Sequence, residues 1–172
     1  MFIAIDGYNF IKQSPELRRL EQIELQKGRE GLIERLAQYK RLKGHAITVV
    51  FDGAPQGTLV EHRERSRGIE IIFSKPGEKA DDVLKRFSAE KRGGITVVTS
   101  DRDVALFAAK KGAIAIPVAD FAEKMEMAQV DFWKGGKSEI RFPDRSAAPV
   151  KKGPSHRLSK SQRKAAAAAK KL

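Results

Sequence analysis

Phe2-Ile3-Ala4-Ile5-Asp6, Ile47-Thr48-Val49-Val50-Phe51-Asp52 and Ile95-Thr96-Val97-Val98-Thr99-Ser100-Asp101 repeat one pattern, a short and mostly apolar run that emerges at an aspartate. Runs without polar alternation are what strands buried on both faces of a sheet require. Ile69 to Phe73 and Ala113 to Val118 complete five expected strands. Between them the spacing turns helical. Leu32, Leu36, Tyr39 and Leu42 share one face of a helix from about Gln26 to Lys43, which Gly44 stops. Ala80, Val83, Leu84 and Phe87 share another face before Gly93-Gly94. Ser14-Pro15 marks a helix start after a loop that follows the first strand. A helix from about Arg102 to Lys111 stops at Gly112, and one from Asp120 to about Val130 opens with Asp120 and Glu123 spaced as a capping box. Strands alternating with helices imply an α/β fold with a mainly parallel sheet and right-handed crossovers.

The apolar pattern fades beyond Phe132, so residues 1–132 read as one domain and 133–172 as a linker and tail. A chain of 172 residues is long enough for one real core and too short to favour two. No apolar run approaches the roughly 20 residues that span a bilayer. The first run reads as a strand rather than a signal peptide, and a cytoplasmic protein is the expectation. With no cysteine, disulfides, thiolate catalysis and cysteine-bound zinc are excluded. Charge is uneven. The net charge is +12, and Lys151, Lys152, Arg157, Lys160, Arg163, Lys164, Lys170 and Lys171 contribute eight positive charges with no acid after Val150, leaving 12 − 8 = +4 elsewhere. This basic arm suits nucleic acid. It lacks the apolar face with which a helix would lie on a membrane.

In an open α/β sheet ligands bind beyond the carboxyl ends of the strands, where strand order reverses. With order 3-2-1-4-5 that crevice lies between Asp6 and Asp101. Each could instead simply cap a turn or helix, but their joint position favours a shared acidic pocket. Carboxylates held close together repel unless a cation neutralises them, and hard oxygen ligands suit Mg²⁺ or Mn²⁺. Asp81 is a third candidate. At 100° per residue it lies about 110° from the apolar face of its helix, whereas Asp82 lies about 150° away and is assigned to water. Ser100 and Asp103 fit a capping box, with contact between Asp103 and a second metal as the alternative. Asp52 either ends a turn before Gly53 or supports the pocket; Asn9 either stabilises its loop or orients a metal-bound water or phosphate. Arg63, Arg65, Arg67, Lys75 and Lys79 flank the acids in segments that read equally as solvated loops or as phosphate contacts. Tyr8 and Phe10 are stacking candidates that core packing explains as well. The three histidines have no metal-ligand spacing.

At Asp6-Gly7-Tyr8-Asn9, Phe51-Asp52-Gly53, Ala80-Asp81-Asp82 and Thr99-Ser100-Asp101-Arg102-Asp103 the chain resembles the YacP-like branch of the NYN domain family, within the PIN-like nucleases, over roughly residues 2–131. The resemblance implies a PIN-like sandwich of order 3-2-1-4-5 and a divalent-metal-dependent endoribonuclease using Asp6, Asp81 and Asp101. It suggests messenger RNA at the ribosome as the target, and it carries no role for the tail. The competing readings are a catalytically silent RNA-binding or ribosome-associated module, and a phosphatase of the haloacid dehalogenase type. The latter wants an aspartate two residues after Asp6, where Tyr8 stands.

Overall fold

The computed structural model describes residues 1–53, 59–91 and 94–134. Along them run β1 (Phe2–Asp6), α1 (Gly7–Gln13), α2 (Pro15–Ile23), α3 (Leu25–Lys43), β2 (Ala46–Phe51), β3 (His62–Ser66), β4 (Ile69–Phe73), α4 (Ala80–Glu90), β5 (Ile95–Val98), α5 (Arg102–Lys110), β6 (Ile114–Ile116) and α6 (Val118–Trp133). The sheet order is β3-β4-β2-β1-β5-β6, parallel throughout except for the antiparallel edge strand β3. With β3 set aside, the order is the expected 3-2-1-4-5.

Side-chain alternation along the strands feeds two cores. Ile3, Ile5, Val49, Phe51, Ile71 and Phe73 pack beneath α1, α2, α3 and α6 against Phe10, Leu17, Leu32, Leu36, Tyr39 and Phe121. Ala4, Val50, Ile72 and Val97 face the other way, toward Val83, Leu84, Phe87, Val104 and Ala108 of α4 and α5. Each fully buried aliphatic side chain contributes about 1.5–3 kcal/mol, so both faces of the sheet are held firmly. Among the described residues no helix is long and apolar enough to cross a membrane.

Five expectations need correction. The sheet has six strands rather than five, because His62–Ser66 forms β3 where a charged loop was expected. An edge strand needs backbone pairing and no apolar residues, so its His-Arg-Glu-Arg-Ser composition hid it. Arg67 and Gly68, both at positive φ (50° and 81°), make the two-residue turn that pairs it with β4. The expected loop after β1 is instead the helix α1, whose Phe10 and Ile11 reach the core directly. The N-cap of α5 is Asp101 rather than Ser100. Finally, α6 begins at Val118 with no side-chain cap, so Asp120 and Glu123 form no capping box, and β6 is shortened to Ile114–Ile116 as Pro117 removes a backbone donor.

Candidate active site

Parallel strands bring Asp6, Asp52 and Asp101 to one edge of the sheet. Asp6 is the last residue of β1, in register with Val50 of β2; Asp52 follows β2, and Asp101 follows β5, the other neighbour of β1. The order reverses between β1 and β5, so Asp6 and Asp101 flank the switch point. Each carboxylate is fixed by backbone donors. Asp6 Oδ1 accepts the Asn9 N–H at 2.9 Å, and Asp101 Oδ1 accepts those of Asp103 and Val104 at 2.8 and 3.0 Å. Asp52 Oδ1 accepts the Ala80 N–H, which draws the first turn of α4, and with it Asp81, to the same edge. Asp82 is exposed, and its Oδ2 accepts the Lys79 N–H at 3.2 Å.

The electrostatics record the crowding. Burial first, then the charges of Asp81 and Asp52, push the Asp6 carboxyl from its ordinary 3.8 up to about 6 against the opposing Asn9 N–H and Lys12. Asp81 is raised by burial and by Asp101, Asp52 and Asp82, with Lys85 opposing. The acids therefore repel one another across a shared space. Among the described residues, however, no three acidic or histidine side chains converge tightly enough to enclose one ion. The donor set suits a hard cation that keeps part of its water shell, since Mg²⁺ is commonly bound through one or two carboxylates with waters and substrate phosphates completing the octahedron. On Asp6, Asp52 and Asp101 the backbone takes Oδ1.

A hydrogen-bonded chain ties the site to the helices. Gln13 Nε2 donates to Asn9 Oδ1, Ser100 Oγ donates to Gln13 Oε1 at 3.1 Å, and the Val118 N–H donates to Ser100 Oγ at 3.3 Å. Asn9 and Ser100 thus position α1 against the segments after β5 and β6. Asp103 is exposed, with its N–H on Asp101. Lys75 and Lys79 are exposed just before Asp81. Arg63 and Arg65 lie on β3, three strands from β1, which at about 4.8 Å per strand is roughly 14 Å away. Arg63 pairs with Glu61 and Glu70, and Arg67 with Glu34. Lys151, Lys152, Arg157, Lys160, Arg163 and Lys164 lie outside the described residues. The sequence reading missed Gln13, Lys12 and Lys85, whose roles appear only once α1 and α4 are set against the sheet.

A parallel sheet of this order, with carboxylates gathered at its switch point, defines a doubly wound α/β protein with an acidic crevice. The chain matches the YacP-like NYN domain family over residues 3–170 and belongs to it. The match extends well past the 2–131 resemblance, into the basic tail. A curated relative, the uncharacterized protein YacP of Bacillus subtilis (strain 168), is 31% identical over 102 residues, which are 58% of this chain and 59% of that protein. Crystal structures of Rae1 (YacP) from Bacillus subtilis superpose with a TM-score of 0.63 at 27% identity, over 78% of each chain, and for a mutant form with 0.66 at 24%, over 77% and 79%.

Proposed function

We propose that the protein is a divalent-metal-dependent endoribonuclease whose centre is Asp6, Asp81 and Asp101. The observation that carries this is the mutual repulsion of acids at the β1/β5 switch point in a strongly basic chain. Asp6 and Asp101 hold fixed oxygens at the crevice, Asp52 sets Asp81 beside them, and Asp103 stands at the rim for a second ion. Bound Mg²⁺ or Mn²⁺ supplies an activated water and charge neutralisation at the phosphate. Because a bound metal would itself activate the water, no side-chain base is needed, and Asn9 and Ser100 hold the walls of the crevice. Lys75, Lys79, the arginines of the β3 hairpin and the tail offer phosphate contacts without base specificity. Messenger RNA at the ribosome, in the cytoplasm, is the proposed substrate and setting.

The open spacing of the carboxylates favours a second reading, an RNA-binding module without catalysis. Incubating the protein with labelled RNA and DNA in Mg²⁺, Mn²⁺ or EDTA separates the two. Internal cleavage of RNA that EDTA abolishes supports the nuclease; binding without cleavage in either metal leaves only the module.

A further inference from the structure

Three arginines in the described residues are half-buried: Arg29, Arg35 and Arg86. Arg35 pairs with Glu16, and Arg86 with Glu61 and Glu78. Arg29 alone of the three has no carboxylate partner among the described residues. Its guanidinium lies 5.4, 5.5 and 5.1 Å from the ring centroids of Tyr8, Phe51 and Phe73, while its Nε donates to the Tyr8 hydroxyl at 2.9 Å and its Nη2 donates there as well. Cation–π attraction and one neutral acceptor hold the group in place without cancelling its charge.

A partly desolvated cation without a counter-ion is costly unless an anion arrives to pair with it. Of the five N–H donors of a guanidinium, two go to the phenol oxygen, which leaves three for a ligand. The cage stands at the functional edge. Phe51 and Phe73 are register partners at the ends of β2 and β4, and Tyr8 is two residues beyond Asp6. Phe51 and Phe73 belong to the core beneath α1 and α3, whereas Asp81 rides on α4 across the sheet. A strand crossing the edge from one face to the other would meet the acids and then Arg29.

We propose that Arg29, oriented by Tyr8, binds an internal phosphate of the RNA strand beside the cleavage centre. This rests on the nuclease reading. A planar fork held at two points is preorganised for bidentate phosphate contact, which a mobile surface lysine is not.

The test is binding of a single-stranded oligoribonucleotide in EDTA, followed by fluorescence anisotropy over a salt series. Arg29→Gln should weaken binding roughly tenfold or more, as for a lost charge-assisted hydrogen bond, and lower the log–log salt slope by about 0.7. Because that variant removes a packed cation, wild-type protein labelled with ¹⁵N-arginine supplies a second measurement. The Arg29 Nε–H resonance, shifted by three nearby rings, should move as oligonucleotide is added. An unchanged slope in folded Arg29→Gln, or a resonance unmoved at saturation, overturns the phosphate assignment and leaves the nuclease reading standing. Wild-type protein that binds no RNA overturns both.

Discussion

Asp6, a residue only 7% exposed, accepts the Asn9 N–H on its carboxylate at 2.9 Å while the charges of Asp81 and Asp52 bear on it. One side chain therefore caps α1 and keeps a buried carboxylate beside two other acids. The first role an amide can fill; the second needs a carboxylate.

Asp6→Asn separates these roles. Asparagine is as good an N-cap as aspartate, so α1 should keep its start while cleavage is lost. The Asp6 pKa is raised in the folded state, so the folded protein holds this proton more tightly than the unfolded chain. The associated stability is present below about 3.8 and is lost as pH rises to about 6. In EDTA at pH 8 the variant should be more stable than wild type by about 2–3 kcal/mol, from some two units at 1.36 kcal/mol each. Below pH 4 the gain should vanish. Urea melts at the two pH values check this, and a pH-independent difference would refute it.

Asp101 invites a comparison of two substitutions. Its Oδ1 holds two N–H groups of α5, so Asp101→Ala should lose about 1 kcal/mol of capping energy that Asp101→Asn retains. Both should be inactive in the cleavage assay. Thermal melts in EDTA give the stability order.

Adjacent acids on α4 should behave differently. Asp81 is half-buried with its charge set against Asp101, whereas Asp82 is exposed and caps its own helix at the Lys79 N–H. Asp81→Asn should reduce cleavage by orders of magnitude and Asp82→Asn should leave it near wild type. Rates measured at saturating Mg²⁺ check the order; the reverse result would move the site one residue along the helix.

Gly7 is where α1 passes closest to the sheet. A Cβ there would meet three ring atoms of Phe51, the farthest at 2.9 Å. Phe51 is fully buried and cannot swing outward, so Gly7→Ala should cost about 1–3 kcal/mol by overpacking. Denaturant titration reads the loss directly.

What the sequence made legible follows from where hydrophobic periodicity operates. The strand ends at Asp6, Asp52 and Asp101 could be placed because buried parallel strands are continuous apolar runs. β3 could not, since His62 to Ser66 carries no apolar run, and its backbone pairing and its side-chain contacts to β4, Arg63 with Glu70 and His62 with Phe73, leave no periodicity to read; Arg67-Gly68 was the one signal, and arginine is an unusual turn residue at positive φ. Helix capping failed at α5 because Ser100 and Asp101 are both good caps and only the backbone path chooses between them. Arg29 was invisible for another reason. It lies in a polar helix start, 21 residues from Tyr8, and nothing local marks it as caged.

The basic tail supplies the last prediction, since the family match runs to residue 170 while the apolar pattern of the sheet and its helices ends near α6. Removing residues 150–172 should leave the α/β core folded, because among the described residues both hydrophobic clusters pack without that segment. The eight cations carry no recognisable reading surface, so their contribution should be to affinity and salt dependence rather than to sequence choice. If about four of them touch phosphate, the salt slope for a single strand should fall by roughly 3 at about 0.7 per contact. Anisotropy measurements on the truncated and full chains at several salt concentrations decide it. Equal affinity and equal slope would assign the tail to solubility or to a protein partner instead.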